Sequence, residues 1–489
     1  MKKIKKIFFK TLFVLAVLYG VLLIPLPEKR DKLIANKPAF VWNSDSLWLS
    51  LEKDFSFAKK LDSFQLDSII LGYQKSLSGQ INFLQTHQPN YNDSIYNSIE
   101  KNVFSASPYV AARPQYSIWF VDTYNQLRSI IKTQSQQWPL QTINTKNTLY
   151  RLLYGMRAAT EEVILQADSN YIPAAMLVSK EHSATPAANI LGITVHSGDI
   201  LVSRGGAEVS ALISRGNDYP GNFSHIAFLY VDEKTKEPYL IESHIEKGVA
   251  IANVEQYIKD RKLRFMVMRP RFDLISIQAD SLLPHKAAKA MFEESFSRHI
   301  AYDFKMDYED SVKMFCSEVA YYAYRKQGIE LWKQLSTISS NGIVNWLHQF
   351  GVDNFITQMP SDVEYDPQLT VVAEWRDPET LYKDHIDNAV MDAMLEQANA
   401  GQQVGYNIWQ LPLVRLIKAW CFIKNQLGYE GIIPEGMSAT TALKNQWLVN
   451  RNRQITTEVK AKADGFIKEH QYKPPYWQLL NMAQKAALE

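Results

Sequence analysis

The sequence predicts an α+β protein in which a small antiparallel sheet packs on a cysteine-bearing helix, with mostly helical regions on either side. Between residues 190 and 376, short β-branched runs alternate with turn residues and are followed by amphipathic helices. Outside this part, apolar residues recur every three or four positions, as expected of helices. We therefore predict an N-terminal segment 1–30, a helical region 31–189, an α+β domain 190–376 and a helical region 377–489.

Composition limits the classes of function. The 489 residues are 46% hydrophobic and 21% charged, as in an ordinary globular protein. A net charge of +2 gives no electrostatic support for a nucleic-acid partner. Two cysteines, Cys316 and Cys421, do not form a disulfide framework.

The N-terminus resembles a targeting segment. Basic residues precede an apolar run that starts at Thr11 and is closed by Pro25 and Pro27. No small-residue cleavage site follows, and counting from Ile7 the segment approaches the length that spans a bilayer. We predict an uncleaved signal anchor in the inner membrane, with the catalytic domain in the periplasm or outside the cell. The alternative is a core helix of a cytosolic protein.

The region 31–189 carries no chemical constellation, so we expect a helical scaffold or a substrate-side cap. The following domain has a regular series of short strand patterns. The predicted strands are Ile200–Ser203, SHIAFLYV, YLIESHI, EKGVAIA, Met266–Arg271 and TVVAEW. The run DSLLPHKAAKAMFEESFSRH predicts an amphipathic helix between the fifth and sixth of these strands.

Cys316 is placed at a helix start. The run from Ser317 to Gln327 has helical spacing, and Gly328 fits its end. The positive end of a helix dipole favours a thiolate, so we expect the pKa of this thiol to be lowered. The alternative is a small buried core residue. Cys421 lies in an apolar helix and is predicted to be a structural buried thiol.

A cysteine nucleophile needs a base, and the base needs an orienting group. His225 starts the strand SHIAFLYV, and Glu242 lies in the strand predicted to pair with it. Directly opposed side chains on antiparallel strands come within roughly 5 Å. Glu242 could therefore fix the tautomer of His225. Taken singly, each residue is more typical of a satisfied histidine or a solvated strand glutamate.

A metal site is the competing interpretation of the same strand. Glu242, His244 and Glu246 alternate, so a regular strand would point all three to one face, where they could ligate a metal. We disfavour this because no second histidine has ligand-like spacing and the cysteine would be unused. His244 is also a rival for the base or for the third polar group.

An ordered series of segments carries a family resemblance over about residues 190–375. The segments are GDILVSRGG, NFSHIAFLYVD, LIESHIEKGVAI, MVMRPR, AYDF and FCSEVAYYAY. Together they resemble the YiiX-like, circularly permuted branch of the NlpC-type papain-like cysteine hydrolases, in which the histidine precedes the cysteine. The resemblance implies that Cys316 is the nucleophile, His225 the base and Glu242 the third polar residue. It also implies that Tyr302 lies near the oxyanion.

The resemblance implies acyl transfer through a thioester, without metal or cofactor. We expect an amidase that acts on peptide amides, with cell-wall peptide as the natural target of an exported enzyme. One alternative is a lipid amide or ester hydrolase or acyltransferase, similar to the lecithin retinol acyltransferase relatives of this fold. The other is a catalytically silent binding protein.

Overall fold

The computed structural model describes residues 2–24, 40, 46–167, 171–259, 262–427, 429 and 431–489. Seven α-helices form its N-terminal part, with short 3₁₀ turns at Pro114–Tyr116 and Ser135–Gln137 and a π-helical turn at Tyr150–Gly155. These helices are α1 (Lys2–Leu23), α2 (Ser46–Ala58), α3 (Ser63–Thr86), α4 (Ser94–Ala112), α5 (Ser117–Gln134), α6 (Ile143–Leu149) and α7 (Met156–Gln166). The apolar faces of α2 to α7 share one core that includes Phe104, Tyr124 and Leu153.

Eleven strands follow in the described residues. They are β1 (Ala175–Leu177), β2 (Ala187–Ile190), β3 (Ile193–His196), β4 (Ile200–Gly205), β5 (His225–Val231), β6 (Pro238–His244), β7 (Gly248–Asn253), β8 (Lys262–Pro270), β9 (Ser336–Thr337), β10 (Ile356–Thr357) and β11 (Leu369–Trp375). Seven of them form one sheet in the order β1-β11-β8-β4-β5-β6-β7, and every neighbouring pair is antiparallel.

Both faces of this sheet are covered. The interleaved helices are α8 (Glu208–Arg215), α9 (Val254–Lys259), α10 (Ile275–Ala279), α11 (Leu283–Ser297), α12 (Cys316–Arg325) and α13 (Asn341–Gln349). Helices α11 and α12 pack on the face that carries Phe228 and Met268. The β2–β3 hairpin and α9 cover the opposite face, which carries Leu229 and Val267. The alternation along β5 and β8 thus gives the sheet two apolar cores.

Four helices form the C-terminal part: α14 (Pro378–Asn399), α15 (Leu411–Gln426), α16 (Ala439–His470) and α17 (Tyr476–Leu488). Short 3₁₀ turns precede β11 at Pro360–Tyr365 and α15 at Ile408–Gln410. Helices α14, α16 and α17 share a core with α8 and α13. Cys421 in α15 is fully buried, and its sulfur accepts a hydrogen bond from the Ile433 N–H at 3.4 Å, which fits the structural thiol predicted for it.

The predicted mixture of helices and an antiparallel sheet is confirmed. Cys316 is the first residue of α12, and Gly328, with φ of +80°, follows the helix end. The sheet is larger than expected because β1, which lies before the predicted boundary at residue 190, adds an edge strand to β11. The division of the chain into domains remains a prediction.

The predicted N-terminal anchor is not supported by the structure. The segment is helical as α1, but no helix among the described residues is long and apolar enough to cross a membrane. The lysines at the start of α1 leave only a short uninterrupted apolar stretch. The closing residues Pro25 and Pro27 and the predicted boundary at residues 30 and 31 lie outside the described part of the chain.

Buried ion pairs fasten the helical regions to the sheet. Arg264 in β8 contacts Glu161 in α7 at 2.5 Å and Asp384 in α14 at 2.8 Å. Arg128 in α5 contacts Glu374 in β11 at 2.6 Å. These side chains are almost completely buried, so each charge depends on its partner for stabilisation.

Candidate active site

Strands β5 and β6 bring a histidine and a carboxylate into contact. The Nε2 atom of His225 lies 2.7 Å from Oε2 of Glu242. In the strand register, Glu242 is opposite Ala227, so its contact with His225 is diagonal and not the direct opposition that we expected. An ionised carboxylate only accepts hydrogen bonds, so Nε2 is the protonated nitrogen. This leaves Nδ1 of His225 as the nitrogen that can accept a proton.

Glu242 is held as a carboxylate by several donors. The side chain is 1% exposed, and burial alone would raise its pKa. The hydrogen bond from His225, the nearby His244 ring and the charge of Lys262 outweigh burial and hold the pKa of Glu242 well below its usual range. The Lys262 ammonium lies 3.8 Å from Oε2, and Nε2 of His244 lies 3.6 Å from Oε1. Glu242 is therefore a buried anion that can stabilise positive charge on His225.

Cys316 lies beside the start of β5. Helix α12 packs on this strand, and the Cys316 thiol donates to the carbonyl oxygen of Ser224 at 3.8 Å. Ser224 directly precedes His225 in the chain. The predicted nucleophile, Cys316, therefore contacts the residue next to the predicted base. Among the described residues, no hydrogen bond joins the thiol to the His225 ring.

The predicted low pKa of the Cys316 thiol is wrong. Burial raises this pKa to about 11, and it outweighs the backbone N–H groups of Ile226 and Ser317, which lower it. Burial also lowers the pKa of His225, although Glu242 acts in the opposite direction. At neutral pH the free protein therefore holds a thiol and a neutral imidazole. The helix dipole is too small an effect to overcome removal of the sulfur from water.

The loop before α12 places Tyr302 near the sulfur. The Met314 N–H donates to the Ala301 carbonyl at 3.0 Å, and the Asp303 N–H donates to the Met314 carbonyl at 3.3 Å. These two bonds hold Tyr302 alongside the segment that leads into Cys316. Burial raises the pKa of Tyr302 well above its usual range, and the neighbouring Cys316 adds to this increase. The phenol is consequently a neutral hydrogen-bond donor close to the thiol.

The alternative metal site of Glu242, His244 and Glu246 does not form on one face of the strand. Strand β6 ends at His244, and Glu246 is exposed in the turn that follows. A different group forms instead, since potential ligand atoms of His225, Glu242 and His244 all lie within 4.8 Å of one another. Two imidazoles and one carboxylate are suitable zinc ligands, so the same atoms that could form a triad could hold a divalent cation.

Two residues of the site were missed by sequence reasoning. Lys262 starts β8, far along the chain from Glu242, and only the strand order brings it near. Glu318 lies one turn into α12 and accepts a hydrogen bond from the Phe315 N–H at 2.7 Å. Burial, together with Asp303 and two other acidic neighbours, raises the pKa of Glu318 to about 9. Glu318 is three residues after Phe315, which is the spacing of a glutamate that caps the start of a helix. This spacing was the sequence pattern that could have identified it.

Along the chain, the strand of the predicted base comes first, then the strand of the carboxylate and then the cysteine helix. Residues 194–373 match the family model of the permuted papain-like amidase enzymes, YaeF/YiiX, C92 family. The predicted resemblance is thereby confirmed. The C92 match implies a cysteine hydrolase of the amidase type.

The C92 match covers the whole candidate site. It begins in β3 and ends in β11, so Cys316, His225, Glu242, Tyr302 and His244 all lie within it. No curated protein gives a match to this chain. The roles of these five residues remain predictions from the family resemblance and from their geometry.

Proposed function

We propose that the chain is a hydrolase of amide bonds in which Cys316, His225 and Glu242 act as nucleophile, base and orienting carboxylate. The observation that carries the proposal is the 2.7 Å contact between His225 Nε2 and Glu242 beside the cysteine helix. A carboxylate in this position fixes the imidazole with Nδ1 free to accept a proton. The substrate class that we propose is a peptide amide, with cell-wall peptide as the natural candidate for an exported amidase.

The first step begins from neutral partners. As the Cys316 sulfur attacks the substrate carbonyl carbon, its proton passes to Nδ1 of His225. Glu242 stabilises the imidazolium that results, because it is an anion buried next to that ring. Substrate displaces the thiol from the Ser224 carbonyl, which accepts its hydrogen bond in the free protein.

The second step transfers the proton onward. The imidazolium of His225 gives its proton to the leaving amine, and a thioester on Cys316 remains. Water then adds to the thioester carbonyl with His225 as base, which releases the acid and restores the thiol. The Tyr302 hydroxyl and the backbone N–H groups at the start of α12 are the donors proposed for the oxyanion.

The test compares the two cysteines of the chain. Purified full-length protein and its Cys316→Ala and Cys421→Ala variants are assayed on peptides released from cell walls, with product analysis by mass spectrometry. We expect Cys316→Ala to lose measurable activity while its thermal unfolding is unchanged within a few degrees. Cys421→Ala is the matched control because Cys421 is equally buried but lies in α15. Activity retained by a folded Cys316→Ala variant contradicts the proposal.

One structural observation favours a second substrate class, a lipid ester or amide. Gly436, in the loop after α15, approaches the Phe304 ring so closely that a Cβ atom there would lie 2.7 Å from it. Phe304 packs against Tyr302, with the ring centroids 5.0 Å apart. Helix α15 exposes many apolar side chains, so an apolar surface and the candidate site are connected through this loop. Thioester formation with a lipid ester or amide, and none with peptides, would select a lipid substrate.

A further inference from the structure

Helices α1 and α15, from opposite ends of the chain, form one surface. The Arg415 guanidinium donates to the carbonyl oxygens of Leu22 and Ile24, both at 2.7 Å. The Tyr19 hydroxyl donates to the Trp409 carbonyl at 2.8 Å. The acceptors are backbone carbonyls at the end of α1 for Arg415 and in the 3₁₀ turn before α15 for Tyr19, so these bonds hold the two helices together without covering the apolar side chains of α1.

The outer face of α15 carries a continuous apolar stripe. Its members are separated alternately by four and three positions, which places them on one side of a helix. They are Leu413, Leu416, Trp420 and Ile423 within α15, together with Trp409 in the 3₁₀ turn before the helix and Leu427 directly after it. All six are exposed, with Leu416 at 58% and Trp420 at 60%. Ile432, in the loop after α15, is 86% exposed and extends the stripe.

Helix α1 adds apolar side chains on every side. Four consecutive residues span a full helical turn, and Leu12, Phe13, Val14 and Leu15 are all exposed. One face of a protein partner could cover only one side of such a helix. Acyl chains and lipid headgroups can surround it, so the exposure pattern selects a lipid partner over a second protein surface.

Charge and aromatic content agree with a lipid partner. Exposed Lys10 precedes the apolar part of α1, and the sequence places four more lysines before it. Basic residues beside an apolar helix complement anionic headgroups. Trp409 and Trp420 have the amphipathic rings that are enriched at the boundary between lipid and water.

We propose that α1 and the stripe of α15 together bind the surface of an anionic lipid bilayer. Trp409, Leu416, Trp420 and Ile423 lie in the boundary between headgroups and acyl chains. The inference stands apart from the proposed hydrolysis, because it needs no reaction at Cys316.

The first measurement is binding of the purified full-length protein to vesicles. Sedimentation is compared for vesicles of phosphatidylcholine alone and of phosphatidylcholine with phosphatidylglycerol. The test variant is Leu416→Glu/Trp420→Glu/Ile423→Glu. The matched control is Phe64→Glu/Ile275→Glu/Val312→Glu, which adds the same charge at exposed apolar residues elsewhere. We expect the wild type and the control to bind the anionic vesicles, and the α15 variant to bind about tenfold more weakly.

Three results overturn the inference. They are absence of wild-type binding to the anionic vesicles, equal binding by both triple variants, and stripe substitutions that change only the oligomeric mass in light scattering without lipid. The last result would mean that a second copy covers the stripe.

The second measurement does not depend on the folding of the triple variant. Brominated lipids are used to quench the tryptophan fluorescence of the wild type and of Trp409→Phe/Trp420→Phe. Removal of these two tryptophans is expected to abolish most of the quenching. Undiminished quenching in the double variant would also overturn the inference.

Discussion

His225 contacts Glu242 at 2.7 Å although the residue opposite Glu242 in the sheet is Ala227. The contact runs diagonally between β5 and β6, so it depends on the rotamers of both side chains as well as on the register. This relationship leaves one imidazole nitrogen, Nδ1, available for chemistry.

Substitution of Glu242 will slow the reaction, and the size of the decrease will depend on the new side chain. Glu242→Gln retains an oxygen that accepts from Nε2 but loses the negative charge, and we expect about tenfold lower kcat/KM. Glu242→Ala loses both, and we expect a decrease of about 10²-fold to 10⁴-fold. Because the Glu242 charge raises the pKa of His225, the acid limb of the Gln variant will move to lower pH. A Gln variant with wild-type rate and pH profile contradicts the assigned role.

The pH profile of the wild type reports the environment of His225. Burial holds its pKa below the ordinary value of 6.5, so the imidazole stays neutral as the pH falls through 6.5. We therefore expect the acid limb of the profile to lie below pH 6.5, with activity lost as the pH falls through the lowered pKa of His225. The measurement is kcat/KM from pH 4 to pH 9, with unfolding monitored in parallel. An acid limb above 6.5 in folded protein would contradict this description.

The reactivity of the thiol without substrate will rise steeply with pH. Burial raises the pKa of Cys316 to about 11, so little thiolate exists at neutral pH. In a Cys421→Ala background, the rate of alkylation by iodoacetamide should increase through pH 7 to 10 without reaching a plateau. A plateau near pH 7 would indicate a preformed thiolate–imidazolium pair.

Removing metal ions with a chelator distinguishes the proposed catalytic triad from the alternative metal site. The group of His225, Glu242 and His244 is compact enough for a cation, but the proposed mechanism uses none. We expect activity to survive prolonged dialysis against EDTA, and metal analysis to find less than one equivalent bound. Loss of activity that added zinc restores would instead assign these residues to a metal site. His244→Ala provides a further distinction, since we expect it to retain the nucleophilic reactivity of Cys316.

The buried charges between the helices and the sheet govern stability. Arg264→Leu leaves Glu161 and Asp384 facing an apolar side chain, and we expect a loss of about 3–5 kcal/mol in the free energy of unfolding. Arg113→Leu is the control, because its pair with Asp67 is partly exposed and screened by solvent, so its loss should destabilise the protein far less. Urea unfolding of both variants tests the difference. Equal effects would contradict the importance of burial.

Short-range patterns made the strands and the cysteine helix predictable. The short apolar runs of β5 and β6, bounded by turn residues, and the three-to-four spacing after Cys316 are local signals, and the structure follows them. The edge strand β1 was missed because three residues carry too little pattern to identify a strand. The proximity of His225 and Cys316 was predicted through the family resemblance, since the intervening chain gives no local signal.

Electrostatic properties of the site were not accessible from sequence. The sign of the Cys316 pKa shift depends on how much water the folded chain removes from the sulfur. The pKa of Glu318 depends on burial and on acidic groups in the preceding loop. The contribution of Lys262 requires the order of strands in the sheet. Each of these effects depends on the tertiary structure, so it cannot be estimated from residue types and their spacing along the sequence.

The buried ion pairs determine how far this chain could be shortened and still fold. Glu161, Glu374 and Asp384, which neutralise arginines of the interior, all lie outside residues 194–373. A polypeptide trimmed to those limits would keep Arg264 without its carboxylates and would sever β11 before its last two residues. We therefore expect an independently folding unit to include the surrounding helices as well as the segment that matches the family model.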